Sequence, residues 1–301
     1  EVVGFVQATL FNGYQAHFPD QLDEVRALID RAMQALVSSQ ANGPHPAGLA
    51  DATSQVLEDV FHKSDPNFWF NQAYHQYKTV TKPQQDLALL RTILRGRRVL
   101  DYGCGSGYLA ASLARQGYQV FTTDVLDYRY PEARHLPFVK MEQATELAYP
   151  ADSIDSVLVL AVLHHIDTPD LVKILANLGR VARWLVIKED SYGLPAHLPE
   201  LAQMLAQQPL LARFQRFSLA DQFLTLALID YFANAVAQGL PEMHMPFQFR
   251  TVEHWQLLLA EHGWPVIETR LAGFEPGRMH QSCHVWLVCE RNPQTDSQNS
   301  V

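Results

Sequence analysis

The chain has 301 residues, 48% of them hydrophobic, and a formal net charge of -9: enough apolar material for one large α/β core with accessory elements, and an acidic balance that argues against a general nucleic-acid or anionic-membrane surface. Its 3 cysteines are too few for a disulfide framework, no apolar run approaches the ~20 residues of a bilayer crossing, and the first residues do not read as a basic-then-apolar leader. A reducing, cytoplasmic setting with neither membrane nor nucleic acid as partner is the expectation.

In chain order, residues 19–40 place Leu22, Val25, Leu28, Ile29, Ala32, Met33 and Leu36 on one face, which predicts an amphipathic helix. Asn42-Gly-Pro-His-Pro46 breaks it, and residues 48–63 read as a second helix carrying Leu49, Val56, Leu57, Val60 and Phe61. The aromatic cluster Phe68, Trp69, Phe70, Tyr74 and Tyr77 has the density of core. Pro83 then leads into a helix over residues 84–94, whose basic run Arg91, Arg95, Arg97 and Arg98 reads as a solvated helix end. Residues 1–83 are thus expected to form a helical region.

Residues 99–110 read as a buried strand, a tight loop and a helix start, with Asp101 at the strand end and Gly103, Gly105 and Gly107 in the loop. Glycines there let a ligand lie against the main chain. They alternate as G-x-G-x-G, with Tyr108 where the dinucleotide fingerprint has its third glycine, which speaks against a nicotinamide oxidoreductase. The next apolar strand, residues 118–123, closes on Asp124. With that acid, the pattern resembles the class I S-adenosylmethionine-dependent methyltransferases of the type-11-like group. The resemblance implies a seven-stranded, mostly parallel sheet with an antiparallel terminal strand, a helical N-terminal region (1–83), and a cofactor-binding domain (84–301). It also implies S-adenosylmethionine as cofactor and S-adenosylhomocysteine as product. The loop then abuts the amino-acid end of the cofactor and Asp124 accepts from the ribose hydroxyls, as suits an acceptor-only carboxylate. The implied cofactor contacts are Asp101, Gly103, Cys104, Gly105, Gly107, Asp124, Val125, Gln143, Ala144 and Ala161. In this family the segment before the first strand folds over the cofactor, so Tyr77 is expected on the cofactor and Tyr74 on the substrate.

A third strand over residues 137–142 leads to Gln143, which stands where the family often has an acid bonding the adenine amino group; its carbonyl accepts the same bond without charge. Residues 156–160 form a central strand apolar on both faces, ending at His164 and His165, each a candidate general base. The resemblance reads the same pair as a helix start beneath the cofactor. A helix over 169–181 and a fifth strand over 184–188 follow. Glu189, Asp190, Ser191 and Tyr192 are expected outside the strand end, with Asp190 the acid favoured for catalysis and Tyr192 for substrate.

Residues 191–249 exceed what the sheet needs and read as a helical lid between strands five and six. It contains helices over 198–205 and 218–238, the latter capped by Ser218. Asp230 and Asn234 fall four apart on one helix face, which makes Asp230 a further catalytic candidate and Asn234, with His244 and Phe247, a substrate contact. A helix over 251–262 capped by Thr251, strands over 265–271 and 284–290, and a polar tail complete the chain. Met279, His280, Cys283 and His284 lack metal-ligand spacing, so no metal is expected. The function so read is methyl transfer to an O, N or C atom of a small molecule by a monomer or homodimer. The alternatives left open are a protein- or RNA-modifying methyltransferase and a cofactor-binding protein with other chemistry.

Overall fold

The computed structural model describes residues 1–41, 46–241 and 243–291; the first four residues of the predicted break at 42–46 and the polar tail 292–301 lie outside them. Helix α1 (Val2–Gln15), unanticipated from sequence, buries Val2, Phe5, Val6, Leu10 and Tyr14 on one face. Helices α2 (Leu22–Ala41) and α3 (Pro46–Asp59) fall where the amphipathic pattern puts them. Next, α4 (Trp69–Gln76) passes through a π-helical turn (Tyr77–Thr81) into α5 (Lys82–Ile93). The alternating part of the chain is β1 (Arg98–Tyr102), α6 (Tyr108–Arg115), β2 (Gln119–Asp124), β3 (Phe138–Lys140), β4 (Ser156–Leu160), α7 (Thr168–Val181) and β5 (Trp184–Tyr192). The insert folds as α8 (Leu201–Gln207), α9 (Pro209–Phe214) and α10 (Leu219–Tyr231), the last continuing as a π-helix (Phe232–Ala237). Then come β6 (Arg250–Thr251), α11 (Val252–Glu261), β7 (Val266–Phe274) and β8 (Cys283–Glu290). Both predicted caps form: Ser218 Oγ accepts from the Asp221 N–H at 3.1 Å and Thr251 Oγ1 from the His254 N–H at 3.2 Å.

The chain divides into two compact units, one of residues 1–79, 203–245 and 273–283, the other of residues 80–202, 246–272 and 284 onward. In the second, the strand order is β3-β2-β1-β4-β5-β8-β7. Strands β1 to β5 pair in parallel and β8 runs antiparallel to β5. The short β6, unforeseen, adds in parallel to the end of β5 through Ser191↔Arg250 and Tyr192↔Thr251. Each face of this sheet buries its own apolar layer. Leu171, Ile174, Leu175 and Leu178 of α7 pack with Trp255 and Leu259 of α11 in one layer; Leu87, Leu90 and Ile93 of α5 pack with Ala110, Ala111 and Leu113 of α6 in the other. Two of the indoles find acceptors: Trp264 donates to the Leu175 carbonyl at 3.0 Å and Trp184 to that of Ile93 at 2.8 Å.

Strand β5 corrects one expectation. It runs on through Glu189, Asp190 and Ser191 to Tyr192, rather than releasing them past its end. Charge interrupts the apolar run that marks a buried strand in sequence, but here each polar side chain is buried against a partner. The basic run is likewise engaged. Asp155 accepts from the N–H groups of Arg97 and Arg98, both at 2.8 Å, and from the Arg98 guanidinium at 2.6 Å, which holds its carboxyl down at about 2. The Arg95 guanidinium covers the Trp184 ring at 3.6 Å, and Arg91 donates to Gln116. Among the described residues no helix is long and apolar enough to cross a membrane.

In the first unit α1 packs on α2 and α10. The aromatic cluster is core, as its density implied: Phe70 stacks on Phe18 at 5.4 Å and on Tyr74 at 5.8 Å and meets the edge of Phe61 at 4.8 Å. Gly13 lets α1 lie against the 273–283 segment, since a Cβ there would stand 2.2 Å from the Met279 carbonyl oxygen. Gly13→Ala is therefore expected to cost about 1–3 kcal/mol in urea unfolding. Gly4→Ala on the same helix, where a Cβ meets nothing within 4 Å, should be neutral or stabilise by up to ~1 kcal/mol.

Candidate functional site

Strand β1 has β2 on one side and β4 on the other. The chain order reverses there, and the carboxyl ends of these strands are where open parallel sheets bind ligands. The glycine loop occupies that position. The N–H groups of Gly103 and Cys104 donate to the Thr123 carbonyl at 2.9 and 3.1 Å, which folds the loop back over the end of β2. Gly103 has φ +71°, and a Cβ on it would lie 2.6 Å from Val162, so both backbone angle and space demand glycine.

Asp124, 7% exposed at the end of β2, holds the loop in turn. One carboxylate oxygen accepts from the Gly105 N–H at 2.9 Å and the other from the Leu126 N–H at 3.3 Å. Burial raises its carboxyl above the ordinary range, against the pull of these backbone donors. A carboxylate offers about four lone-pair sites, so capacity for further donors remains. Next to it Val125 and Leu126 expose 38% and 52% of their surface, an apolar ledge beside an acceptor. Asp101, at the end of β1, is buried and accepts no hydrogen bond from any described residue. Burial, above all, pushes its carboxyl up to about 7; Asp124 and Asp86 add to the rise and Lys82 opposes it. Asp101, Cys104 and Asp124 are thus gathered under one loop.

The end of β4 is held by a buried network that the sequence did not reveal. Glu189 and His164 are both fully buried, with His164 Nδ1 2.5 Å from Glu189 Oε2. Glu189 Oε1 accepts from the N–H groups of Val162 at 3.1 Å and Leu163 at 2.7 Å, capping the 3-10 turn Leu163–His165. The His164 carbonyl accepts from the Gln248 N–H at 2.8 Å and its ring stacks on Phe249 at 4.8 Å. Arg250, also buried, donates to the Gln248 carbonyl at 2.7 Å and to Thr168 Oγ1 at 3.1 Å, and lies over the Trp255 ring at 4.8 Å. Burial lowers the Arg250 pKa and the Glu189 charge raises it. The network sets the turn that presents Ala161, exposed, with φ +56° and its N–H on the Lys188 carbonyl at 2.7 Å.

The other expected residues are distributed as follows. Gln143 is exposed and its backbone carbonyl accepts from Glu146; the Ala144 carbonyl accepts from the Tyr102 hydroxyl. His165 is half-buried beside His164, ring centres 4.1 Å apart. Asp190 points to the opposite sheet face from Glu189, 3.5 Å from His284 Nε2, and half-buried Tyr192 ends β5. Phe247, with φ +52°, stacks on Phe249 at 6.2 Å. In the helical unit, Tyr74 is buried beside His280 at 5.8 Å, and Tyr77 beside His17 at 4.8 Å. There Asp230 accepts from Asn234 Nδ2 at 2.7 Å, which bears out their shared helix face, and His244 is exposed. Sequence reasoning preferred Asp190 to Glu189 and passed over Arg250. The signal was the unbroken polar run after an apolar strand.

A model of the methyltransferase domain matches residues 74–300. The ubiquinone biosynthesis O-methyltransferase of Hahella chejuensis is 33% identical over 104 residues, 31% of this chain and 42% of that protein. The one of Xanthomonas campestris pv. campestris is 30% identical over 138 residues, 42% of this chain and 56% of that protein. The chain thus spans about half the length of the curated relatives it matches. Among solved structures, the Burkholderia thailandensis 1,6-didemethyltoxoflavin-N1-methyltransferase superposes with TM-score 0.46 and 16% identity, over 83% of this chain and 91% of that one.

Loss of the Glu189 acceptor strands two buried N–H groups and the His164 ring. Glu189→Leu is expected to lower unfolding stability by roughly 3 kcal/mol or more, while Glu189→Gln, which keeps an acceptor oxygen, loses less; denaturant unfolding of the two variants measures the gap.

Proposed function

The chain belongs to the methyltransferase-domain family, and from that premise we propose that it binds S-adenosylmethionine over the glycine loop and passes the methyl group to a small-molecule acceptor. The carrying observation is Asp124, a buried strand-end carboxylate with acceptor capacity to spare beside the exposed apolar pair Val125 and Leu126. A ribose diol and a flat purine ask for that pairing of acceptor and apolar surface. Asp101, buried and without a hydrogen-bond donor among the described residues, suits the ammonium of the amino-acid end, and Gly103 to Gly107 give the backbone its close approach. Gln143, Ala144 and Ala161 are assigned to the same ligand. When bound, S-adenosylmethionine supplies an electrophilic methyl on a sulfonium sulfur.

For the rest, the protein's task is to align an acceptor with that methyl and keep water out. Among O, N and C acceptors we favour oxygen, the atom in the names of the curated relatives. A hydroxyl acceptor must shed a proton. Of the candidate bases, His164 is tied to Glu189, Asp230 to Asn234, and Asp190 faces His284. We assign the proton to His165, half-buried beside His164 at the end of β4. Tyr192 and Phe247 are read as acceptor contacts. The 3 cysteines are buried and outside any disulfide, which agrees with a cytoplasmic protein, and we take it to act as a monomer or homodimer.

Incubation with methyl-labelled cofactor and size-fractionated cell extract should move label into a small-molecule fraction. Label on polypeptide or RNA would favour a macromolecular acceptor, and binding without transfer a different use of the cofactor. Asp124→Ala should weaken S-adenosylhomocysteine roughly tenfold or more by calorimetry, a loss of about 1.4 kcal/mol, with the fold retained by circular dichroism. With the Asp101 carboxyl near 7, the protonated form prevails below that pH and has to lose its proton to pair with an ammonium. Affinity should accordingly rise from pH 6 to 8, with proton release on binding at the acid end, and Asp101→Asn should flatten the profile.

A further inference from the structure

Strand β7 ends the sheet beyond β8, and among the described residues no strand adds to its outer edge. Such an edge presents main-chain donors and acceptors that can pair with another chain. Ile267 on it is 51% exposed. Helices reach this edge on both faces of the sheet. Gln256 of α11 donates to Thr269 Oγ1 at 3.1 Å on one face, and Arg270 donates to Thr92 Oγ1 of α5 at 3.2 Å on the other.

Folded proteins blunt an open edge with charged side chains, and charge of a single sign repels an approaching copy. This edge carries both signs. Glu268 and Arg270 stand two residues apart, hence on one face, and the Arg270 guanidinium donates to the Glu268 carboxylate. Their side chains remain 42% and 36% exposed. A second copy pairing antiparallel about a two-fold axis must centre on a residue, because directly opposed side chains share a face of the sheet. Centred on Glu268, the pairing sets glutamate against glutamate; centred on Arg270, it sets arginine against arginine, and both are repulsive. Centred on Thr269, it sets Glu268 of each copy against Arg270 of the other, with Thr269 facing itself on the axis. Charge thus selects one register from its neighbours.

We propose that the outer edge of β7, residues 266–272, is a homodimer interface: a second copy of this chain pairs with it antiparallel about Thr269, so that the two sheets run on as one. The proposal goes beyond the reading of the glycine loop and stands without it. The rival account is an edge kept solitary by its own charged residues, and it predicts a monomer.

The experiment is sedimentation of the full chain over a concentration series, with circular dichroism as the check on folding. The samples are wild type, Glu268→Arg, Arg270→Glu, the double reversal, and an equal mixture of the two single variants. Wild type should dimerise. Each single reversal gives the edge one sign of charge and should weaken self-association roughly tenfold or more. The double reversal restores opposite charges in the same register, and the mixture restores them between unlike copies; both should associate within about threefold of wild type. A monomeric wild type overturns the proposal, as does a dimer that the single reversals leave intact or a mixture that does not associate. Should a reversal variant fail to fold, cysteine cross-linking decides, since the 3 native cysteines are buried. Thr269→Cys lies on the axis, within disulfide reach of its copy, whereas the Ile267→Cys positions stand roughly 13 Å apart along the strands. An interchain disulfide at 269 and none at 267 supports the proposal; equal cross-linking at both, or none at 269, overturns it.

Discussion

The α/β unit depends on how four consecutive polar residues, Lys188, Glu189, Asp190 and Ser191, are satisfied inside a sheet where each is at most 6% exposed. Buried charge is tolerated only with partners, because desolvation otherwise exceeds what the fold gains from packing. Strand geometry alternates the side chains, so Lys188 meets Asp86 on one face, Glu189 meets His164 and the turn after β4 on the other, and Asp190 returns to the first face beside His284. Ser191 donates to the Arg250 carbonyl at 2.8 Å. One strand end therefore fixes α5, the β4 turn, β8 and β6 at once.

That arrangement orders the site from below. The glycine loop and Asp124 bind each other through backbone donors, but the turn bearing Ala161 takes its shape from Glu189, and the field around Asp101 comes from α5 and β2. None of these supporting groups needs to touch a ligand to matter. Their contribution is to hold the atoms that do within a fraction of an ångström, which is the usual distinction between a site that is present and one that works.

Much of this was legible in the sequence where local rules suffice. The alternating glycines, Asp101 and Asp124 mark β1, the loop and β2, and Ser218 and Thr251 announce their helices. The apolar periodicity of residues 22–36 places α2. Less was legible where partners are distant in sequence. Helix α1 was missed because Val2, Val3, Val6 and Thr9 are β-branched and Gly4 and Gly13 disfavour helix, although its buried positions recur at helical spacing. The length of β5 was underestimated because charge in a strand reads as a strand's end unless Asp86, His164 and His284 are known to lie opposite. Arg250 gave no signal at all, since its role follows from β6, a strand of 2 residues.

Cys104 draws one more consequence from the loop. Its thiol lies in the glycine turn itself, and burial, with the neighbouring Asp101 and Asp124 charges, drives its pKa far above neutrality. Only a thiolate is an effective nucleophile. Burial and the neighbouring acids thus hold this sulfur in its protonated, unreactive form.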